Sequence, residues 1–395
     1  MLQQLNPFQR RGLAIVMALG LLYGCILASQ FYVPRLVHVL GGSATTAGML
    51  LALSLIPVFL LALFGRDIAR RFSPRQVLRA GLAFHGLQLL LLAFADNVWM
   101  LIPSMIFGGF GYGLTFARLL NSSTELTPKA YYTQGIAYFT LVVQLGVGLG
   151  SVIAALMEPL LDTHGTFYLP IALTMVALVL AGQLPQQRSA ANDEVAAPSA
   201  KPRGSMLEVV ILMGVLGLTF GLPLQFVPMW LGSSTTMNFS PGYFLTTSFF
   251  AIMVTRMLFG HWLNGRRELR LVLTCFAVVS TAIAVLGLAH TPWQFVACAI
   301  FYGAGYSLLY PSCIAYMLQQ VEPEDRAAWS VWVLLGYEVG TRCMPALFGM
   351  VADTWGFPVM FRWLAGLIAL VGLWHLAKRF GALQTGPEAM TKTAG

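Results

Sequence analysis

Glu338 and Arg342 stand four residues apart inside the apolar stretch 326–351. An ionisable group at the centre of a membrane-length helix costs about 2.5–3.5 kcal/mol on insertion scales, so it is by default a functional group. The chemistry open to the pair is proton exchange, or capture of a cationic group, at Glu338, with Arg342 tuning that carboxylate or holding an anion. A plainer reading stands beside it. Spacing i to i+4 with the acid on the N-terminal side is the favourable order for a self-neutralising pair. Arg118 and Arg256 lie in two other apolar runs. Arg118 either contacts an anionic solute or snorkels to headgroups, and Arg256, four residues ahead of Gly260, reads as a gate residue. Met253, Met257 and His261 also recur every four residues and would suit copper(I). With 18 methionines in the chain such stripes arise by chance, so no metal site is assigned. His85 with Gln88 reads as a buried polar pair satisfied by neighbouring helices. Motifs of the GxSxG, HExxH and nucleotide-loop kinds are missing, so the chain does not read as an enzyme and no cofactor is expected.

The elements that position these residues are membrane helices. The 395 residues are 57% hydrophobic and 10% charged, where a soluble domain carries about 25% charged residues. No soluble core hides that much apolar sequence, so the solvent for most of the chain is lipid. The net charge of +8 sits in short loops between apolar runs, which argues against a nucleic-acid partner. The five cysteines all fall within apolar runs, without disulfide or metal-ligand spacing. Runs of about 20 residues mark spans 1–12, at 12–33, 45–65, 77–95, 99–120, 132–156, 166–184, 207–231, 242–263, 269–289, 292–319, 326–351 and 357–378. Six precede and six follow the polar stretch 185–206, rich in Ala, Pro, Ser and charge, which reads as a flexible linker. The expected organisation is therefore a six-helix bundle over 1–184, the linker, a second bundle over 207–380 and a tail over 381–395. Pro223 and Pro228 are expected to break span 7 around Gln225. Lys and Arg cluster at the N-terminus, in the 2–3 and 8–9 loops, in the linker and in the tail, while the alternate loops are nearly bare. By the positive-inside rule both termini and the linker face the cytoplasm.

The two halves repeat one another. Leu63-Phe64-Gly65 followed by Arg71 and Arg75 returns 195 residues later as Leu258-Phe259-Gly260 followed by Arg266 and Arg270. Gly111-Tyr112 and Gln144-x-Gly146 return 194 residues later as Gly305-Tyr306 and Glu338-x-Gly340. Duplication of this kind places a solute site between the halves.

The six-plus-six pattern, the middle linker and the basic loop Gly65-Arg66-Asp67-Ile68-Ala69-Arg70-Arg71 with Arg75 resemble the major facilitator superfamily over essentially the whole chain. In that family the loop carries an acid at the place Ala69 occupies here, and Asp67 stands two residues earlier. Span 5 resembles the family's antiporter signature at Gly146 and Gly150, with Ser151 and Ala154 in place of its proline and last glycine. The resemblance implies two pseudo-symmetric six-helix bundles. Gly65, Asp67, Arg71, Arg75, Arg256, Gly260, Gly146 and Gly150 would then serve gating, and spans 1, 4, 7 and 10 would line the cavity. The polar and aromatic residues on those spans include Gln30, Tyr112, Gln225, Tyr302 and Tyr306, joined by Tyr23, Phe116, Phe226 and Tyr310. Tyr302, Tyr306 and Tyr310 form one stripe suited to an amphipathic or aromatic solute; the alternative is helix packing. The expected protein is a proton-coupled secondary transporter in the cytoplasmic (inner) membrane, working as a monomer and exporting an amphipathic compound, drug or metallophore-like metabolite. An importer of a nutrient or metal ion, or a transport-inactive receptor, is the alternative.

Overall fold

The structure is a computed structural model that describes residues 6–128, 131–184, 204–234, 237, 239–259, 268–320 and 326–384. The linker 185–203, the tail from 385, Gly260 and His261 lie outside the described residues. Every regular element among the described residues is helical, and all twelve spans are present. Span 1 comprises Pro7–Ala28, a 3-10 turn at Ser29–Tyr32, and Val33–Val39; span 2 comprises Ala44–Leu53 and Leu55–Arg71. Spans 3 to 6 are Pro74–Ala93, Leu101–Leu126, Tyr132–Gly165 and Tyr168–Ala181. Spans 7 to 10 are Gly204–Ser233, Gly242–Phe259, Glu268–Leu286 and Pro292–Gln320. Span 11 is Arg326–Arg342 followed by Met344–Trp355, and span 12 is Phe357–Gln384.

Several helices start before their apolar pattern does, because polar caps open them. Asn6 accepts from the Gln9 N–H at 2.7 Å, and the Gln9 side chain accepts from the Asn6 N–H at 3.2 Å. This capping box opens span 1, and Ser73 with Gln76 repeats it at span 3.

Proline decides where helices break, since it lacks the N–H that would bond the carbonyl four residues back. Span 1 tightens into its 3-10 turn before Pro34, span 2 breaks at Ser54 before Pro57, and span 11 breaks at Cys343 before Pro345. Span 7 departs from expectation: Pro223 and Pro228 lie inside one uninterrupted helix. The carbonyl freed by Pro223 belongs to Thr219, and it accepts from the Tyr302 hydroxyl at 3.2 Å. A partner from span 10 thus replaces the bond lost at Pro223.

Glycine then sets the closest helix pairs. A Cβ on Gly24 or Gly146 would strike the opposing backbone where span 1 crosses span 5. One on Gly217 or Gly340 would do the same where span 7 crosses span 11. These crossings occupy equivalent places in the two halves, which meet each other through spans 2 and 11, 5 and 8, and 1 and 7.

Candidate functional site

The breaks in spans 2 and 11 lie against each other: Arg342 Nη1 donates to Ser54 Oγ at 2.7 Å. On one side of that junction Ala44–Leu53 packs along Met344–Trp355, while on the other Leu55–Arg71 and Arg326–Arg342 scarcely touch among the described residues. The packed side is the end of the bundle remote from Pro7. There the Gly48 backbone sits directly on Ala346 and the Gly349 backbone on Ala44. The Asp353 carboxylate accepts from the Ala44 and Thr45 N–H groups, each at 2.8 Å, and from Thr45 Oγ1 at 2.6 Å. An anion there meets both the unpaired first-turn donors and the positive end of the helix dipole of span 2. Arg35 of span 1 adds an ion pair to Glu158 of span 5 and donates to the Pro228 carbonyl of span 7 at 3.2 Å.

At the apex of the diverging side sits a charged cluster built from both halves. Arg342 Nε donates to Glu338 Oε2 at 2.7 Å, so the i to i+4 pair does form. Tyr112 of span 4 donates its hydroxyl to Glu338 Oε1 at 3.0 Å. The Arg342 guanidinium lies 4.6 Å from the centroid of the same Tyr112 ring, a cation–π distance. Tyr112 stacks in turn on Phe116 at 5.8 Å. Glu338 is only 5% exposed. Its carboxylate therefore accepts from one donor in each half, and a change in its charge alters bonds that hold spans 4 and 11 together.

A neutral cluster lies beside it in the first half. Gln30, on the 3-10 turn of span 1, exchanges two hydrogen bonds with Gln88 of span 3, at 3.0 and 2.8 Å. His85 Nδ1 lies 3.2 Å from Gln88 Oε1, so the expected pair forms, while its Nε2 has no partner. The Tyr23 ring packs edge-on against His85 at 5.5 Å.

The other expected site residues scatter. Tyr306 shares a hydrogen bond with Tyr337 at 3.1 Å, while Tyr302 is committed to the carbonyls of span 7. Gln225 is buried with Oε1 unpartnered. Arg118 forms a bidentate pair with Glu125, at 3.2 and 2.6 Å, seven residues along its own helix. Arg256 donates to the Ser307 carbonyl of span 10 at 3.3 Å, and the loop beyond span 8 lies outside the described residues. Gly146 and Gly150 pack on span 1 within the first half. A Cβ on Gly65 would meet nothing within 4 Å, Asp67 and Arg71 are exposed, and Arg75 donates to the Leu184 carbonyl. Ser54, Tyr337 and Asp353 escaped the sequence reading as site residues. The signals were present in Pro57, three residues after Ser54, and in the Gly349-x-x-x-Asp353 spacing.

The sequence model described as Major Facilitator Superfamily matches residues 13–285 and 209–390. Similar relatives include the MFS-type transporter YhhS of Salmonella typhimurium, 23% identical over 363 residues and covering 88% of this chain and 87% of that protein. YhhS of Escherichia coli K12 is 22% identical over 358 residues, with the same shares covered. Among solved structures, the nucleoside transporter NupG superposes with a TM-score of 0.76 at 14% identity, over 93% of this chain and 98% of that one. A peptide transporter POT in complex with sulfate gives 0.75 at 14% identity, over 94% and 95%. At such identity these structures show the fold alone.

Proposed function

Since the chain belongs to the Major Facilitator Superfamily, we propose that it moves a small organic solute across the cytoplasmic membrane by rocking its halves about the span 2–span 11 junction, with Glu338 as the proton-coupling group. The observation that carries this reading is the asymmetry about that junction. One side is latched by Asp353 and glycine-depth contacts, the other diverges, and the Glu338–Arg342–Tyr112 cluster sits between them. Protonation of Glu338 removes its negative charge, weakens the bonds from Tyr112 and Arg342, and lowers the cost of parting the halves. A solute entering the diverging side meets the aromatic wall of Tyr306, Tyr310, Tyr337 and Phe220. With both termini in the cytoplasm that mouth faces inward, which favours loading from inside and export driven by proton entry.

The test is an accumulation and susceptibility panel on three strains: a deletion, one overproducing the native protein, and one overproducing Glu338→Gln. Lower accumulation of particular compounds with the native protein alone supports proton-coupled export. Raised accumulation would reverse the direction to import, and equal activity of the variant would remove Glu338 from the coupling.

A further inference from the structure

Three arginines within the spans meet a carboxylate, while Arg75 at the start of span 3 and Arg256 deeper in span 8 bond backbone carbonyls among the described residues. Arg35 is paired with Glu158, Arg118 with Glu125 and Arg342 with Glu338. Arg256 has no carboxylate among the described residues. Its one hydrogen bond there runs from Nη2 to the Ser307 carbonyl at 3.3 Å, and its buried Nε has no partner. Ser307 lies four residues before Pro311, so this carbonyl is one that a proline frees. Capping such a carbonyl needs a donor and no charge, as the neutral Tyr302 hydroxyl shows at Thr219. A cation at this place therefore goes beyond what the helix requires, and a charge at membrane depth calls for a counter-charge.

The depth and the neighbours fit a ligand. Arg256 and Tyr306 each lie 14 residues into their helices, from Gly242 and Pro292, or about 21 Å at 1.5 Å per residue. That puts Tyr306 at the middle of span 10 and Arg256 in the last third of span 8, three residues before Phe259. Arg256 meets span 10 at the Ser307 carbonyl, next in the chain to Tyr306, and Tyr306 joins Tyr337 and through it Tyr310. Their rings form one continuous surface, with Tyr310 on Tyr337 at 5.2 Å and Phe220 on Tyr306 at 5.2 Å. Glu338 and Arg342 neutralise each other, which leaves Arg256 as the charge beside that surface with no carboxylate partner among the described residues.

We propose that Arg256 anchors the anionic group of an aromatic organic acid whose ring lies against Tyr306, Tyr310 and Tyr337. A carboxylate suits the planar guanidinium fork, and its ring suits the aromatic wall. This assignment rests on the transporter reading for its biological use, but binding tests it separately.

The probes are benzoate, salicylate and indole-3-acetate, each beside its primary amide, with benzylamine and tryptamine as cations, added to the purified full-length protein in a thermal-shift assay. The acids should raise the melting temperature of the native protein, and the amides and amines should not. Arg256→Gln should weaken acid binding at least tenfold, with Arg256→Lys between. Without ligand, Arg256→Gln should melt at or above the native temperature, because glutamine still caps the Ser307 carbonyl without an unpaired charge. The proposal falls if amides or amines stabilise as well as acids, if no acid stabilises, or if Arg256→Gln binds acids unchanged. It falls too if ligand-free Arg256→Gln melts well below native, which marks a structural tie. Flux in proteoliposomes separates the two readings. Acids that bind through Arg256 yet do not move under a pH gradient overturn transport and leave the anion site standing. Gradient-driven flux of a neutral solute that survives in Arg256→Gln, with acid binding unchanged, does the reverse.

Discussion

Glu338 holds its place by a balance of charge that a single substitution upsets. In Glu338→Gln, Arg342 keeps its bond to Ser54 but loses its counter-charge, and breaking a buried pair from one side costs about 3–5 kcal/mol. The variant is expected to melt at a lower temperature and to lose gradient-driven flux. Glu338→Gln with Arg342→Gln should recover most of the melting temperature and none of the coupling. Recovery of coupled flux in the double variant would show that the pair is only self-neutralising. The tyrosines divide by what their hydroxyls do. Tyr302→Phe strands the Thr219 carbonyl, a loss of about 1–3 kcal/mol, and should lower stability while leaving solute affinity unchanged. Tyr306→Ala should change affinity more than expression, and unchanged affinity would make the Tyr306 face mere packing. Period and spacing placed all three tyrosines of span 10 on one stripe. They could not reveal that Tyr302 caps span 7, because its partner lies 83 residues away along the chain.

At the scale of elements, spans 2 and 11 form a latch whose contacts are backbone-close. Gly349→Leu would drive a side chain into Ala44 and Thr45, so it should hold that end apart. A cysteine placed there should then react with a membrane-impermeant maleimide more readily than in the native background. Thr45→Cys with Asp353→Cys should cross-link under oxidation and arrest transport, with activity returning on reduction; persisting transport would show that this end need not open. The existence and order of the helices were legible because lipid demands long apolar runs and polar loops. The breaks were less so. Proline marks a lost hydrogen bond in every case, yet Pro57 and Pro345 accompany breaks while Pro223 does not. At Pro223 a donor arrives from another helix, the Tyr302 hydroxyl on the Thr219 carbonyl.

At the scale of the whole molecule, the linker and the positive charge make a statement about sidedness. A cysteine at Ala197 should be labelled only by reagents reaching the cytoplasmic face, and labelling from outside would invert the orientation and with it the direction proposed for export. The chain by itself determined its solvent, its helix count, its duplication and the presence of Glu338 and Arg342 in an apolar run, because each is a matter of composition or local spacing. Only the tertiary structure decided which carboxylate meets which donor. Tyr112 reaches Glu338 across 226 positions of sequence, and Asp353 reaches the first turn of span 2 across 309. Such contacts depend on how two bundles settle against each other, and neither hydropathy nor periodicity along one chain carries that information.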